Sequence, residues 1–562
     1  MTGRLQPGLA KGLKKRAVDR LQPRVSKTSA LVSGAIVPCD REVLTTAPVM
    51  NRTKGKAKLT DTDLMRVFFP KELTPPFRSS QLADALGSLP SNTLLPGKHY
   101  SKLARHSVPR TRASRRLVSI PNPSHQLKLA HALAANAADL LHKQSDSTIS
   151  LSAFKVHSSP GRVLRRSVAV EDLGVQRMMR AAGHRFVLRT DLSRYYATIY
   201  THGIPWAIHG KTVAKANRSP SLYGNLIDTC VRDTQDQQTL GIPIGPKSSD
   251  LIAETVGAAL DRELQERLGV VTGTRYVDDF HLYFSSRSAA ESALATIEDV
   301  AKRFELEVNP LKTEIGELPE AMEPPWLTDV RAMQLRSGAS AQRFDLVALF
   351  NTAFTVLRAY PAEPVLKYVV KQTLGADIHQ DNWSIYESLL CHTIMADSGT
   401  LPLVTQILLH YREEGYELDE DRIRATLSET IDYHAPLNHG FEVAWALWMS
   451  SVLSILVEEK MSPKIATMED NVVVLVALDA MDKGWLSDVD TSRWEAMSAP
   501  EELYSETWLV AYESAIHQGW LRPNGDYVYD DGFFGALAKR GVTFYDVDKS
   551  QPIYLQFTMY GE

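Results

Sequence analysis

The chain has 562 residues but only three cysteines, Cys39, Cys230 and Cys391. They lie far apart, which excludes a disulfide framework and the short ligand spacing of a zinc site. No apolar run is long enough to cross a bilayer. The longest, residues 443–457, is broken by serines and flanked by Glu442 and Glu458, so it reads as a core helix. The first residues lack the apolar stretch of a secretion signal, and a cytoplasmic protein with no membrane partner is the expectation.

What the chain does have is a globular composition, 44% hydrophobic and 23% charged, at a length that favours two or three domains over one core. Its net charge of −3 conceals a division. Residues 1–190 hold 33 of the 63 basic side chains and only 11 of the 66 acidic ones. Either the basic third docks on an acidic remainder, or its Lys and Arg neutralise the phosphates of a nucleic acid.

Residues 1–58 are basic and weakly periodic, with "KGLKKRAVDRLQPRVSK" the densest part, and read as a flexible arm. From 59 to 330 strand-like and helix-like stretches alternate. "SRRLVSIPNP" and "HRFVLRTDLS" read as strands, "SDLIAETVGAALDRELQERLG" as an amphipathic helix and "GTRYVDDFHLYFSS" as a strand pair with its aspartates at the bend. The fold class is therefore α+β, with helices covering one face of a small antiparallel sheet. After 335 strand signals nearly vanish. The expectation for 335–562 is an all-helical, solenoid-like domain, with an irregular helical domain as the other option.

Adjacent carboxylates in an apolar strand are costly unless a cation or donors compensate. Asp278 and Asp279 form such a pair, and Asp191 ends a second apolar strand 87 residues before Asp278. A strand-end carboxylate beside a hairpin-tip carboxylate can hold two divalent cations, hard ions that take oxygen ligands. Between them, "QQTLGIPIGPKSSDLIAE" offers a Gly/Pro loop for close backbone approach, with Ser248 and Ser249 at the start of a helix. Lys312, in "VNPLKTE", is expected on a strand after a helix, where it can protonate or neutralise a departing pyrophosphate.

Strand-Asp, Gly/Pro loop and helix, Tyr-x-Asp-Asp hairpin, then helix and Lys-Thr resemble motifs A to D of the reverse transcriptase palm over about residues 100–320. The resemblance implies right-hand polymerase fingers and palm with an antiparallel palm sheet. It also implies Asp191 and Asp278 as metal ligands, Asp279 as supporting acid, the Leu192 carbonyl as a further ligand, and two Mg²⁺ ions, with Mn²⁺ as a substitute. Tyr196 falls where reverse transcriptases keep a bulky aromatic that clashes with a ribose 2′-hydroxyl. Gly245 falls in the nucleotide-binding loop. "TRASRRLVSIPNPSHQLKLAHAL" is similar to the first fingers motif and "SAFKVHSSPGRVLRRS" takes the place of the second. Arg116 is the leading triphosphate contact, with Arg162, Arg165 and Arg166 behind it.

"TIYTHGIPWAIHGK" after motif A, "QTLGIPIGP" in motif B and the long helical C-terminal region resemble the bacterial Abi and "unknown group" reverse transcriptases linked to phage defence. Where most reverse transcriptases carry Pro-Gln-Gly, this chain has Pro243-Ile244-Gly245. Ile244 lacks the amide of that glutamine, which is compatible with the template-independent or unusual DNA synthesis that the resemblance to parts of this group implies. If synthesis starts on the protein itself, a Tyr or Ser hydroxyl is the primer. The expected partners are dNTPs, the DNA product, a non-coding RNA or second defence protein, and further copies of the chain. Two alternatives stand beside this reading: a retron- or intron-like enzyme copying RNA, and an inert RNA-binding relic of the palm. Trp445, Trp448, Trp508 and Tyr512 recur at helical spacing and read as core rather than as a base-stacking platform.

Overall fold

The computed structural model describes residues 58–89, 98–111, 114–157, 163–321, 323–522 and 526–548. The arm expected over 1–58 lies outside them except for its last residue. Strands β1 (Ala104–Thr111) and β2 (Ser114–Ile120) form an antiparallel hairpin. Only Val118, Ser119 and Ile120 of β2 are buried, while the arginine-bearing start of the strand faces outward. Pro121 ends the strand and Asn122 caps α1 (Pro123–Ala135), its side chain accepting the Ser124 N–H at 3.2 Å. Pro123 sits at the first helical position, where no N–H is needed. A second hairpin, β3 (Phe154–Val156) with β4 (Leu164–Arg166), corresponds to the expected second fingers segment. Helix α2 (Leu173–Ala181) follows and packs against the central sheet without a fully buried residue.

That sheet contains β5 (Phe186–Asp191), β6 (Gly273–Tyr276), β7 (Asp279–Phe284) and β8 (Glu314–Glu317). Its order is β6-β7-β5-β8, with antiparallel pairing throughout, as expected for the palm. Helix α3 (Lys247–Leu268) leads into β6, and α4 (Arg287–Arg303) covers β5 and β7. The buried face of α4 carries Ala290, Ala293 and Ala301 beside Ile297 and Val300, and these small residues let it lie close to the strands. Lys312, expected on a strand, ends a short 3₁₀ turn at Pro310–Lys312 just before β8. Pro310 cannot donate to a ladder, so the strand starts later.

The region after 335 is helical, as expected. Its longer helices include α5 (Ala339–Ala359), α6 (Leu401–Glu413), α7 (Glu420–His434), α8 (Gly440–Leu453), α9 (Asn471–Asp482) and α10 (Trp508–Ile516). Helix α8, the predicted core helix, is apolar around most of its circumference, and α6, α7, α9 and β1 surround it. Each large aliphatic side chain buried there contributes roughly 1.5–3 kcal/mol relative to exposure. Trp448, Trp508 and Tyr512 are fully buried, and Trp445 nearly so. Trp445 donates to the Glu72 carbonyl at 3.1 Å, Trp508 to that of Ile120 at 3.0 Å and Tyr512 to that of Val542 at 2.6 Å. These rings are core. The packing exceeds the neighbour-to-neighbour contacts of a solenoid. β1 touches α8 and α9, and the Arg78 N–H donates to the Phe544 carbonyl at 2.9 Å.

A part-buried ion pair and a buried histidine–carboxylate contact cross the same boundary. Arg115 on β2 grips both oxygens of Glu442 on α8 at 2.7 Å, and His106 on β1 meets Asp470, the cap of α9, at 2.9 Å. No helix among the described residues is long and apolar enough to cross a membrane. Cys230 and Cys391 are buried and unpaired, and Cys39 lies outside the described residues.

Candidate active site

The hairpin joining β6 and β7 closes with the pair Tyr276–Asp279, leaving Val277 and Asp278 as a two-residue loop. Two-residue hairpins require positive φ at the first or both loop positions. Val277 supplies it at φ 60°, a conformation a β-branched residue rarely adopts. The strand register sets Asp191 across from Asp279, one position from the Asp278 partner expected. Asp278 occupies the turn itself, where its carbonyl accepts the Leu192 N–H at 3.2 Å. All three carboxylates therefore converge at one end of the sheet.

Their environments differ. Asp191 is buried; its Oδ2 takes the Lys312 ammonium at 2.5 Å, while its Oδ1 has no hydrogen-bond partner. Asp279 receives Arg177 from α2 at 2.6 Å and lies 3.4 Å from His281. Burial works against its charge, yet the hydrogen bond from His281 and the Arg177 charge hold its carboxyl below the usual range. At Asp278 the Lys312 charge is only a small opposing influence. Burial first, and then the charges of Asp191 and Asp279, push its carboxyl up. The buried orphan oxygen of Asp191 and the Asp278 carboxylate are oxygen donors at one end of the sheet. That set suits a hard divalent ion.

A buried network supports the turn. Arg275 of β6 is wholly buried and binds Glu254 at 2.7 Å and Asp261 at 2.8 Å, both on α3 and equally buried. Burial opposes the guanidinium charge, but the two carboxylates hold it far above its usual range. Arg275 also donates to the Val277 carbonyl at 2.8 Å, and the Val277 N–H donates to Ser152 Oγ at 2.8 Å. Ser152 in turn donates to Glu254 at 2.6 Å. Gly257 is the helix position that Arg275 crosses: a Cβ there would stand 2.7 Å from Nη1.

On the other side lies Tyr196, half-buried, its hydroxyl donating to Asp250 Oδ1 at 2.7 Å. Burial, and next the Asp250 charge, push its phenol well above the usual range, so the O–H remains a donor. Asp250 Oδ2 meets Lys247 at 3.1 Å and Arg166 at 3.8 Å. Arg166 lies over the rings of Phe154 and Tyr276. Gly245 adopts φ 126° and packs against Pro70, whose Cγ would lie 2.7 Å from an added Cβ. The Ile244 carbonyl accepts the Ser119 N–H at 2.7 Å, which pins this loop to β2. Ser248 and Ser249, expected at the helix start as available hydroxyls, are buried, with Ser248 Oγ accepting from Gln126.

Of the predicted phosphate contacts, Arg116 is exposed on β2, Arg165 on β4 has a buried Nε without a partner, and Arg162 lies outside the described residues. Asp250, Arg177, His281 and the Arg275 network were not singled out from sequence, because each acts through a partner distant along the chain. A separate group, His434, His439 and Glu442, also brings metal-type ligands together. Both Glu442 oxygens there are taken by Arg115, and the two imidazoles contact each other through Nδ1 at 2.8 Å. It is a clasp between α7, α8 and β2.

Comparison with known proteins follows the same outline. Residues 112–336 match the family model described as reverse transcriptase (RNA-dependent DNA polymerase). No curated protein matches the chain. Solved structures similar to it include apo telomerase from Candida Tropicalis, at 11% identity and a TM-score of 0.31, covering 62% of this chain and 68% of that one. Another is telomerase from Candida albicans in complex with a TWJ fragment of telomeric RNA, at 11% identity and a TM-score of 0.28, covering 70% and 64%. Reverse transcriptases as a family generally use divalent metal ions. The chain carries a reverse transcriptase domain and is by class an RNA-directed DNA polymerase, a nucleotidyltransferase.

Proposed function

We propose that the protein synthesises DNA from dNTPs in the manner of the Abi and "unknown group" reverse transcriptases, as an antiphage-defence enzyme of the cytoplasm. The observation that carries the polymerase reading is the convergence of Asp191, with its partnerless buried Oδ1, and Asp278 at the Val277 turn. Asp191, Asp278 and the Leu192 carbonyl would hold two Mg²⁺ ions, with Asp279 supporting. Bound there, the ions supply activation of a 3′-hydroxyl and neutralisation of a departing pyrophosphate.

The chain's own residues do the rest. Lys312, exposed and paired with Asp191, is the proton donor or counter-charge for pyrophosphate. Tyr196 sets its ring beneath the sugar and excludes a 2′-hydroxyl. Arg116, Arg162 and Arg165, with the backbone at Gly245, contact the triphosphate. Residues 59–330 serve as fingers and palm, and 335–562 stand in the place of a thumb.

Template independence is the finer part of the proposal. It is supported by Ile244, whose side chain packs on the core and has no polar group to read a base pair. Protein priming, a non-coding RNA or second defence protein, and self-association belong to the same reading. The test incubates the purified full chain with Mg²⁺ and labelled dNTPs, with and without prior nuclease treatment. Incorporation that survives nuclease supports template independence, and product left on a short peptide after proteolysis supports protein priming. Incorporation lost on nuclease treatment and restored by added RNA would instead favour the RNA-copying alternative.

The Lys312–Asp191 and Arg177–Asp279 pairs favour a second reading, an inert nucleic-acid-binding relic, because they set the chain's own cations against two of the three carboxylates. Absence of any incorporation would support it.

A further inference from the structure

Asp250 stands in the first turn of α3, immediately after the Gly245–Pro246 loop, and only 19% of its side chain is exposed. Its oxygens divide their partners. Oδ1 receives the Tyr196 hydroxyl at 2.7 Å, and Oδ2 faces Lys247 at 3.1 Å and Arg166 at 3.8 Å. Arg166 is further fixed over Phe154 at 5.1 Å and over Tyr276, of the Tyr-x-Asp-Asp hairpin, at 5.4 Å. One carboxylate thus joins the turn after β5, the first residue of α3, strand β4 and, through Arg166, the β6–β7 hairpin.

An acidic residue in the first turn of a helix has an ordinary role, complementing the helix dipole. That role needs neither the Tyr196 hydroxyl nor a cation brought from β4. A tyrosine ring held only by its Cβ can rotate about χ1 and χ2, and a ring that rotates makes room for a hydroxyl beneath the sugar. A ring anchored at its far end by a short hydrogen bond to a charged acceptor cannot.

We propose that Asp250 is a positioning residue that determines sugar specificity, by holding the Tyr196 ring through its hydroxyl while Lys247 and Arg166 hold Asp250. The inference rests on the polymerase reading above. It differs from the steric role of Tyr196 itself: the ring supplies the obstacle, and Asp250 keeps the obstacle in place.

The experiment measures kcat/KM for a dNTP and its matching rNTP with the full chain, for wild type, Asp250→Ala, Asp250→Asn, Tyr196→Phe and the double variant Tyr196→Phe/Asp250→Ala. Losing a hydrogen bond to a charged acceptor is expected to lower the dNTP/rNTP ratio about tenfold in Asp250→Ala and in Tyr196→Phe. The double variant should lose no more than either single one, since both remove the same contact. Asp250→Asn keeps an acceptor for the hydroxyl and should keep most of the ratio.

A ratio unchanged in Asp250→Ala, or losses that multiply in the double variant, would overturn the inference. So would equal falls in kcat/KM for both nucleotides, the mark of a merely structural role. A wild type that incorporates neither nucleotide removes the polymerase reading and this inference with it. An active wild type with an unmoved Asp250→Ala ratio removes the inference alone.

Discussion

The Val277 N–H donates to Ser152 Oγ at 2.8 Å, so a residue before β3 holds the strained turn that carries Asp278. A valine at φ 60° costs about 1–3 kcal/mol and persists only where its surroundings over-determine it. Here Ser152 fixes the N–H and Arg275 the carbonyl, and Glu254 binds both of these side chains. Replacing Ser152 by Ala leaves a backbone donor and a buried carboxylate each short of a partner. We expect a loss of about 1–3 kcal/mol in stability, read as a lower urea midpoint, and a larger proportional fall in kcat than in nucleotide affinity. A Ser152→Ala protein with unchanged midpoint and kcat would show that the turn is held without this bond.

Gly257 tests the same network from the helix side. Ala in place of a helix-interior Gly ordinarily stabilises by up to about 1 kcal/mol. Here the added methyl would lie 2.7 Å from Nη1 and 2.8 Å from Cζ of Arg275, which cannot swing away because two buried carboxylates grip it. The predicted sign is therefore reversed: Gly257→Ala lowers the denaturant midpoint and incorporation together. A midpoint equal to or above wild type would mean that the guanidinium has room to shift.

A third prediction concerns acid. His125, at the start of α1, is buried with Nε2 3.1 Å from the Lys98 carbonyl, which places the proton of the neutral ring on that nitrogen. Burial pushes its imidazole from 6.5 down to about 4. The unfolded chain therefore binds this proton more readily than the folded one. The stability His125 contributes is complete above about pH 6.5, declines as the pH falls from there, and is lost through about 4. Urea midpoints of wild type should fall more steeply across that window than those of His125→Gln. Parallel pH profiles for the two proteins would contradict the burial argument.

Much of the arrangement around Asp191 and Asp278 is legible in the sequence. The apolar runs into Asp191 and around Asp278 announce strands, and the Gly/Pro loop and Lys312 follow in the order a palm requires. Pattern did not give the register: with a two-residue loop, the residue opposite Asp191 is Asp279 and not Asp278. Nor could it place Lys312 in a 3₁₀ turn, although Pro310 is a sufficient local cause. The partners of the site were illegible for a different reason. Arg275 reads as a strand residue, Glu254 and Asp261 as a helix face, and Asp250 as an N-terminal acid. Only the fold brings each to its counterpart. Arg115 and Glu442 are 327 positions apart, and no periodicity links them.

The central claim is that Asp191 and Asp278 are the working carboxylates of a nucleotidyl-transfer site. Its most direct test measures Mg²⁺-dependent dNTP incorporation by wild type, Asp191→Asn and Asp278→Asn, with urea midpoints taken in parallel to confirm folding. Each uncharged amide should reduce incorporation by at least about a thousandfold, the scale on which single catalytic groups act, while both variants unfold as a folded protein does. Incorporation by a folded Asp278→Asn protein at a rate near wild type would contradict the account.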